Sequence, residues 1–278
     1  MLWYEILLLI IAILLFFVLL IAVILFIMLL PGSRKKVKNF DWLLARPIAH
    51  RGYHNGQKDC PENSKAAYQK AIDRNYNIEI DIHVTLDNQI VVFHDDNVER
   101  MTGVNKLIKD MTLEEIKQLR LQGGEESIMT LPEFLDLVHD QVGVLIEFKN
   151  SQGGKLEKYA WPILEKYNGR WVMQAFQPDS LKWFKQNQPS IPRGQLCFNY
   201  MGTKNPWLRK FLYTYLFSNF IGRPNFISYN WPGCKYKTIK LLRKMHAPLL
   251  VWTIQNEEVY NQVKDKCDNV IFENLELK

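Results

Sequence analysis

The sequence has 278 residues and a formal net charge of +6, long enough for one large domain or two small ones. Much of that charge is local, because residues 34–46 carry Arg34, Lys35, Lys36, Lys38 and Arg46 against only Asp41. A short basic flank of this kind suits a membrane surface, and no nucleic-acid partner is expected.

The chain opens on an unbroken run of 25 apolar residues, Ile6 to Leu30. At about 1.5 Å per helical residue this exceeds the hydrocarbon core of about 30 Å, so it spans with some tilt. A signal peptide would have a shorter apolar region, positive charge ahead of it and small residues at a cleavage site. Here Glu5 precedes the run and Leu29-Leu30-Pro31-Gly32 is a poor cleavage site, so an uncleaved single-pass anchor over 1–31 is expected. The basic residues after it place the following domain on the cytoplasmic face of the cell membrane by the positive-inside rule. Residues 32–46 read as a basic juxtamembrane linker, and 47–278 as the globular domain.

Arg46 to Ala49 predicts a short strand leading into His50-Arg51-Gly52. Glu62-Asn63-Ser64 then caps a helix over 65–74, whose apolar positions Ala67, Ala71 and Ile72 recur at helical spacing. Asn77 to Thr85 alternates: Ile78, Ile80, Ile82 and Val84 point one way, and Glu79, Asp81, His83 and Thr85 the other. On a half-buried surface strand those carboxylates would be solvated. In a barrel they would face the interior mouth, where they are costly without a cation.

The next apolar run, Ile90 to Phe93, follows after only Leu86 to Gln89. A parallel crossover needs a dozen or more residues, so the two runs pair antiparallel. That folds His94-Asp95 back over the strand bearing Glu79 and Asp81, and towards His50.

Thr112-Leu113-Glu114-Glu115 and Thr130-Leu131-Pro132-Glu133 are capping-box patterns that open helices over 113–121 and 131–139. Strands are predicted at 142–148, 171–176, 195–198, 226–229, 249–253 and 270–272, with helices at 154–167, 179–187, 235–246 and 256–266. Residues 199–223 interleave aromatics with Lys204, Arg209, Lys210 and Arg223. They read either as an amphipathic helix covering the barrel or as an interfacial segment touching lipid. Leaving out the 90–93 ribbon, eight strands alternate with helices, the pattern of an α/β, (β/α)8 TIM-type barrel preceded by one transmembrane helix. Cys60, Cys197, Cys234 and Cys267 form no CxxC pair or zinc spacing and are expected to be free thiols.

Glu79, Asp81 and Glu147 supply three carboxylates at strand ends, hard oxygen ligands that suit Mg²⁺ or Ca²⁺ better than zinc. His50 and His94 at the same mouth suit acid/base work on a phosphate, whereas His54, His83, His139 and His246 read as structural. Arg51 and Lys149 fit phosphate clamps. Together these residues predict a metal-dependent phosphodiesterase.

The stretches HRG, PENS, EIDIHVTLD, VVFHD and RMTG, followed by EFK at 147–149, MQAF at 173–176 and VWT at 251–253, resemble the glycerophosphodiester phosphodiesterase family over nearly all of the chain after the anchor. The resemblance implies hydrolysis of glycerophosphodiesters to sn-glycerol 3-phosphate and an alcohol. It makes His50 and His94 the acid/base pair, Glu79, Asp81 and Glu147 the metal ligands, and Arg51 and Lys149 the phosphate binders. Trp252 would line the substrate pocket, and Glu62 and Asn63 would support the site, with Glu62 near the metal. One departure stands out: the family ends its last strand with a Thr-Asp-x-Pro-like turn, where this chain has Phe272-Glu273-Asn274-Leu275. Two other readings are a lysophospholipase D acting on membrane lysolipids and a non-catalytic barrel binding lipid headgroups. The intact histidines and carboxylates argue against the second.

Overall fold

The computed structural model describes residues 3–150 and 152–277; Met1 and Lys278, the outer bounds of the expected segments, lie outside them. In chain order the helices are α1 Trp3–Leu29, α2 Trp42–Ala45, α3 Lys65–Asp73, α4 Glu99–Thr102, α5 Leu113–Lys117, α6 Leu131–Val138, α7 Lys155–Lys166, α8 Pro178–Asn187, α9 Trp207–Thr214, α10 Asn219–Gly222, α11 Lys237–Lys244 and α12 Glu257–Val263. The strands are β1 Ile48–Ala49, β2 Asn77–Val84, β3 Ile90–Val92, β4 Val144–Phe148, β5 Trp171–Ala175, β6 Arg193–Cys197, β7 Phe226–Asn230, β8 Leu249–Ile254 and β9 Asn269–Phe272.

Eight strands run parallel and close on themselves through β1, which pairs with both β2 and β9. The ninth, β3, pairs antiparallel with β2 in the register Ile82↔Val92, as the short connection requires. The fold is a TIM-type barrel with one long apolar helix ahead of it. Both capping boxes form, at Thr112 with Glu115 and at Thr130 with Glu133. The helix expected over 113–121 ends at Lys117 instead. Beyond it the chain turns through Gln122 and Gly123, both at positive φ. Glu126 is thereby brought to the N-terminus of α3, where its carboxylate accepts from the Lys65 and Ala66 amides at 3.2 Å.

Side-chain alternation divides the barrel strands between two environments. Ile78, Ile80 and Ile82 of β2 pack outward with the helical layer. Inward-facing Ile48, Leu145, Val172, Leu250 and Ile271 close the N-terminal end together with Phe40 and Leu43. The stretch read as a linker thus supplies two fully buried plug residues, since a barrel end left open would expose that apolar layer.

Helix α1 is exposed along nearly its whole length and is long and apolar enough to cross a membrane. Its C-terminal end is held by the loop around α10. Arg223 donates to the carbonyls of Ile27 at 2.8 Å and Leu30 at 2.9 Å, and Asn219 donates to that of Leu29 at 3.2 Å. Gly32 makes this approach possible, because a Cβ there would stand 2.3 Å from the Arg223 carbonyl oxygen.

Candidate active site

The site is built at the C-terminal ends of the strands. After β1 the chain turns sharply through Arg51 at φ 55° and Gly52 at φ 81°. A side chain on Gly52 would meet Ala67 at 2.9 Å as well as being conformationally strained. The turn aims the Arg51 amide at Glu79 (3.1 Å) and places its guanidinium 2.8 Å from Glu62 and 3.5 Å from Asp81.

On β2 and β4 the register Asp81↔Glu147 sets two carboxylates side by side, with Glu79 two residues deeper. Glu79, Asp81 and Glu147 each offer an oxygen within 4.8 Å of the others, and all three are buried. Lys149 reaches into the cluster, 2.7 Å from Glu147 and 3.3 Å from Asp81. Burial, then the charges of Asp81 and Glu147, push the Glu79 carboxyl well above the usual carboxylate range. Burial would raise Asp81 too, but Lys149, His94 and Arg51 hold it far below that range. The Asp81 oxygen facing Lys149 is buried and forms that ion pair without a hydrogen bond. An all-oxygen cluster with excess negative charge fits a hard divalent cation.

His50 and His94 line one cavity of about 160 Å³, together with Arg51, Glu79, Glu147 and Trp252. Each has a carboxylate on Nδ1: Glu273 lies 2.7 Å from His50, and Asp95 lies 2.6 Å from His94. Such a partner fixes the Nδ1–H tautomer and leaves Nε2 free. Burial lowers the His50 pKa, with the Glu273 hydrogen bond pulling the other way. Glu273 itself is held far below the usual range, because the bond from His50 and the nearby His54 ring, 3.7 Å away, outweigh its burial. Gln255 also donates to Glu273.

The two arms are joined by charge. Arg100 donates to Asp95 at 2.5 Å and to Glu62 at 2.6 Å, and Glu62 in turn accepts from Arg51. Burial alone would raise Glu62, yet Arg100 and Arg51 keep it below its ordinary value. Its carboxylate is held between two arginines at the edge of the three-carboxylate cluster. Asn63 donates to Asp81 at 3.2 Å while accepting from Tyr68 at 2.9 Å. His83 is buried with Nε2 at 3.2 Å from the His94 carbonyl, and all four cysteines are free.

Three residues escaped the sequence reading: Glu273, Arg100 and Gln174, the last buried in the cavity with its amide oxygen unpaired. Arg100 lay within the RMTG stretch. Glu273 stands two residues after inward-facing Ile271, so strand alternation was the available signal.

The sequence profile of the glycerophosphoryl diester phosphodiesterase family matches residues 50–277. The chain belongs to that family. It is 32% identical to a glycerophosphodiester phosphodiesterase of Caldanaerobacter subterraneus over 247 residues, covering 82% of this chain and 94% of that one. Bacillus subtilis YhdW is 39% identical over 158 residues, 52% of this chain and 63% of YhdW. Human lysophospholipase D GDPD1 is 42% identical over 80 residues, only 28% of this chain and 23% of that protein. In fold the chain is similar to an Oleispira antarctica phosphodiesterase solved with sn-glycerol-3-phosphate, with a TM-score of 0.69, 22% identity and coverage of 84% and 94%. Family membership makes this chain an enzyme of the phosphodiesterase class, and the matched region is the barrel that carries the cavity.

Proposed function

We propose that this protein hydrolyses glycerophosphodiesters to sn-glycerol 3-phosphate and an alcohol, with His50 and His94 as the acid/base pair. The observation that carries the reading is the pair of histidines, each backed by a carboxylate, lining one cavity with two of the three clustered carboxylates in a chain of this family. Burial keeps His50 neutral, so its free Nε2 is suited to take the proton of the attacking hydroxyl, either water or the substrate's own glycerol hydroxyl through a cyclic phosphate. His94, held by Asp95, is suited to protonate the leaving alkoxide.

Glu79, Asp81 and Glu147 would hold Mg²⁺ or Ca²⁺, which when bound would supply positive charge against the phosphoryl oxygens. Arg51 and Lys149, which stand against the same carboxylates, would add hydrogen-bond donors to the phosphoryl oxygens. Trp252 lines the wall. A volume of about 160 Å³ is close to the ~150 Å³ cavity that takes up one benzene, so a long alcohol moiety has to extend outward.

In this reading α1 anchors the chain in the cell membrane, and the basic residues 34–38 keep the barrel on the cytoplasmic face. Lysophospholipids are a second substrate class. The local likeness to a lysophospholipase D favours this, as does α9, whose Trp207 is 71% and Leu208 58% exposed. The far end of α9 is fastened to the barrel, where Tyr229 donates to the Thr214 carbonyl at 2.9 Å, so one helix both covers the barrel and offers an interfacial edge.

The test is release of glycerol 3-phosphate from glycerophosphoethanolamine by the full chain in neutral detergent, with Mg²⁺, with Ca²⁺ and with chelator. Turnover abolished by chelator and by His50→Ala supports the reading. Turnover that survives both overturns it.

A further inference from the structure

A cavity larger than the catalytic one lies elsewhere on the barrel. A groove of about 1000 Å³ runs between α11 and α12, and none of its lining residues belongs to the catalytic cavity. That volume is at the upper end of the range for ligand sites. Its charge is one-sided: six Lys and Arg side chains line it against two Asp and no Glu.

Part of that charge is already used. Arg243 binds both oxygens of Asp268, at 2.8 and 3.1 Å, and the Lys266 carbonyl at 2.7 Å, which fixes one wall. Arg34 stacks on Phe40 and pairs with Asp41. Lys235, Lys240, Lys244 and Lys266 remain, and among the described residues none of the four has an ion-pair partner. Trp231, Pro248 and Val263 add apolar lining.

The groove also sits at a defined place. Arg34, at its edge, follows the last residue of α1 by only five positions, a reach of at most about 18 Å of extended chain. The path is shorter than that limit, because Gly32 donates to the Pro224 carbonyl at 2.7 Å and Arg223 grips the end of α1.

We propose that this groove is a second, non-catalytic binding site for the phosphate-bearing headgroup of an anionic phospholipid in the leaflet that α1 enters. The inference rests on the anchor reading above. The unspent lysines supply the counter-charge, the apolar lining accepts the upper part of the lipid, and the junction with α1 sets the site at headgroup depth. Occupancy holds the barrel against the leaflet without touching the reacting atoms.

The test uses the full chain reconstituted into vesicles of phosphatidylcholine alone or mixed with phosphatidylglycerol. Mass spectrometry follows the acetylation rate of Lys240, Lys244 and Lys266, with Lys158 on α7 as the reference amine. Phosphatidylglycerol is expected to slow the three groove lysines by roughly threefold or more relative to Lys158. In Lys240→Glu/Lys244→Glu the protection of Lys266 should disappear while turnover of glycerophosphoethanolamine is kept. Equal rates in both vesicles overturn the proposal. Protection by inorganic phosphate in phosphatidylcholine vesicles matching that by phosphatidylglycerol assigns the groove to free phosphate and overturns the lipid source. If the chain floats with neither vesicle, the anchor reading falls, and the groove proposal with it. If it floats with both and the rates are equal, only the groove proposal falls.

Discussion

The two ends of the barrel are made by the same strands and serve opposite purposes. Along five of them an inward apolar residue is followed two positions later by a polar or aromatic one: Ile48 and His50, Leu145 and Glu147, Val172 and Gln174, Leu250 and Trp252, Ile271 and Glu273. The lower members meet Phe40 and Leu43 in a dry plug. The upper members, with Glu79 and Asp81, gather carboxylates, cations and imidazoles that are mutually satisfied only in part. One end gains stability from burial; the other concentrates charge that a ligand must complete.

The sharpest way to break the comparison is to remove a histidine. His50→Ala and His94→Ala should each lower kcat/KM by about 10²- to 10⁴-fold, the usual worth of a general acid or base. Thermal unfolding of the same variants checks that the fold is kept.

Next come paired substitutions at the two ends. Glu79→Gln should abolish divalent-cation binding by titration calorimetry yet leave the chelator-treated protein as stable as before or more so, because burial and the neighbouring carboxylates already disfavour a charge at that position. Leu43→Ala should cost about 2–5 kcal/mol in denaturant unfolding while cation affinity stays unchanged. If both variants lose stability alike, the functional division between the ends is wrong.

Glu273→Gln should lower kcat by about 10- to 100-fold with little change in KM, as expected for loss of a group that orients a reacting imidazole. A change confined to KM would show that Glu273 acts on substrate instead.

Acid should loosen the mouth through the depressed carboxylates. Glu62 and Asp95 titrate below their ordinary values, because hydrogen bonds from Arg100 outweigh burial. Their contribution to stability is present above the unfolded pKa of about 4 and is lost as the pH falls through the folded values. Arg100→Ala should therefore flatten the fall in stability between about pH 5 and pH 3. An unchanged slope would place acid sensitivity elsewhere.

The smallest effect belongs to α9. Trp207→Ala/Leu208→Ala should leave turnover of glycerophosphoethanolamine intact and reduce that of micellar lysophospholipid by a few-fold.

Much of this was legible in the sequence because the signals were local. Alternation in 77–85 put Glu79 and Asp81 on one face, and a four-residue connection fixed β3 as antiparallel and carried His94 back over them. Capping boxes located two helix starts. Where the signal was local but ended in a long-range contact, the reading slipped. The helix opened by Thr112 ends at Lys117, and the chain beyond it runs on to Glu126, which caps α3 some 60 residues away.

By itself the sequence determined the periodicities, the apolar segment, the order of strands and the residue types gathered at the mouth, since each depends on neighbours a few positions apart. Only the tertiary structure decided which charges meet. Closure of β1 against β9 brings Glu273 to His50 across 223 residues, and the excursion after β3 sets Arg100 between Asp95 and Glu62. The groove beside α1 likewise exists only once Arg34 and the α11 and α12 segments share one wall. Such pairings follow from how the sheet closes, and no window of sequence contains that geometry.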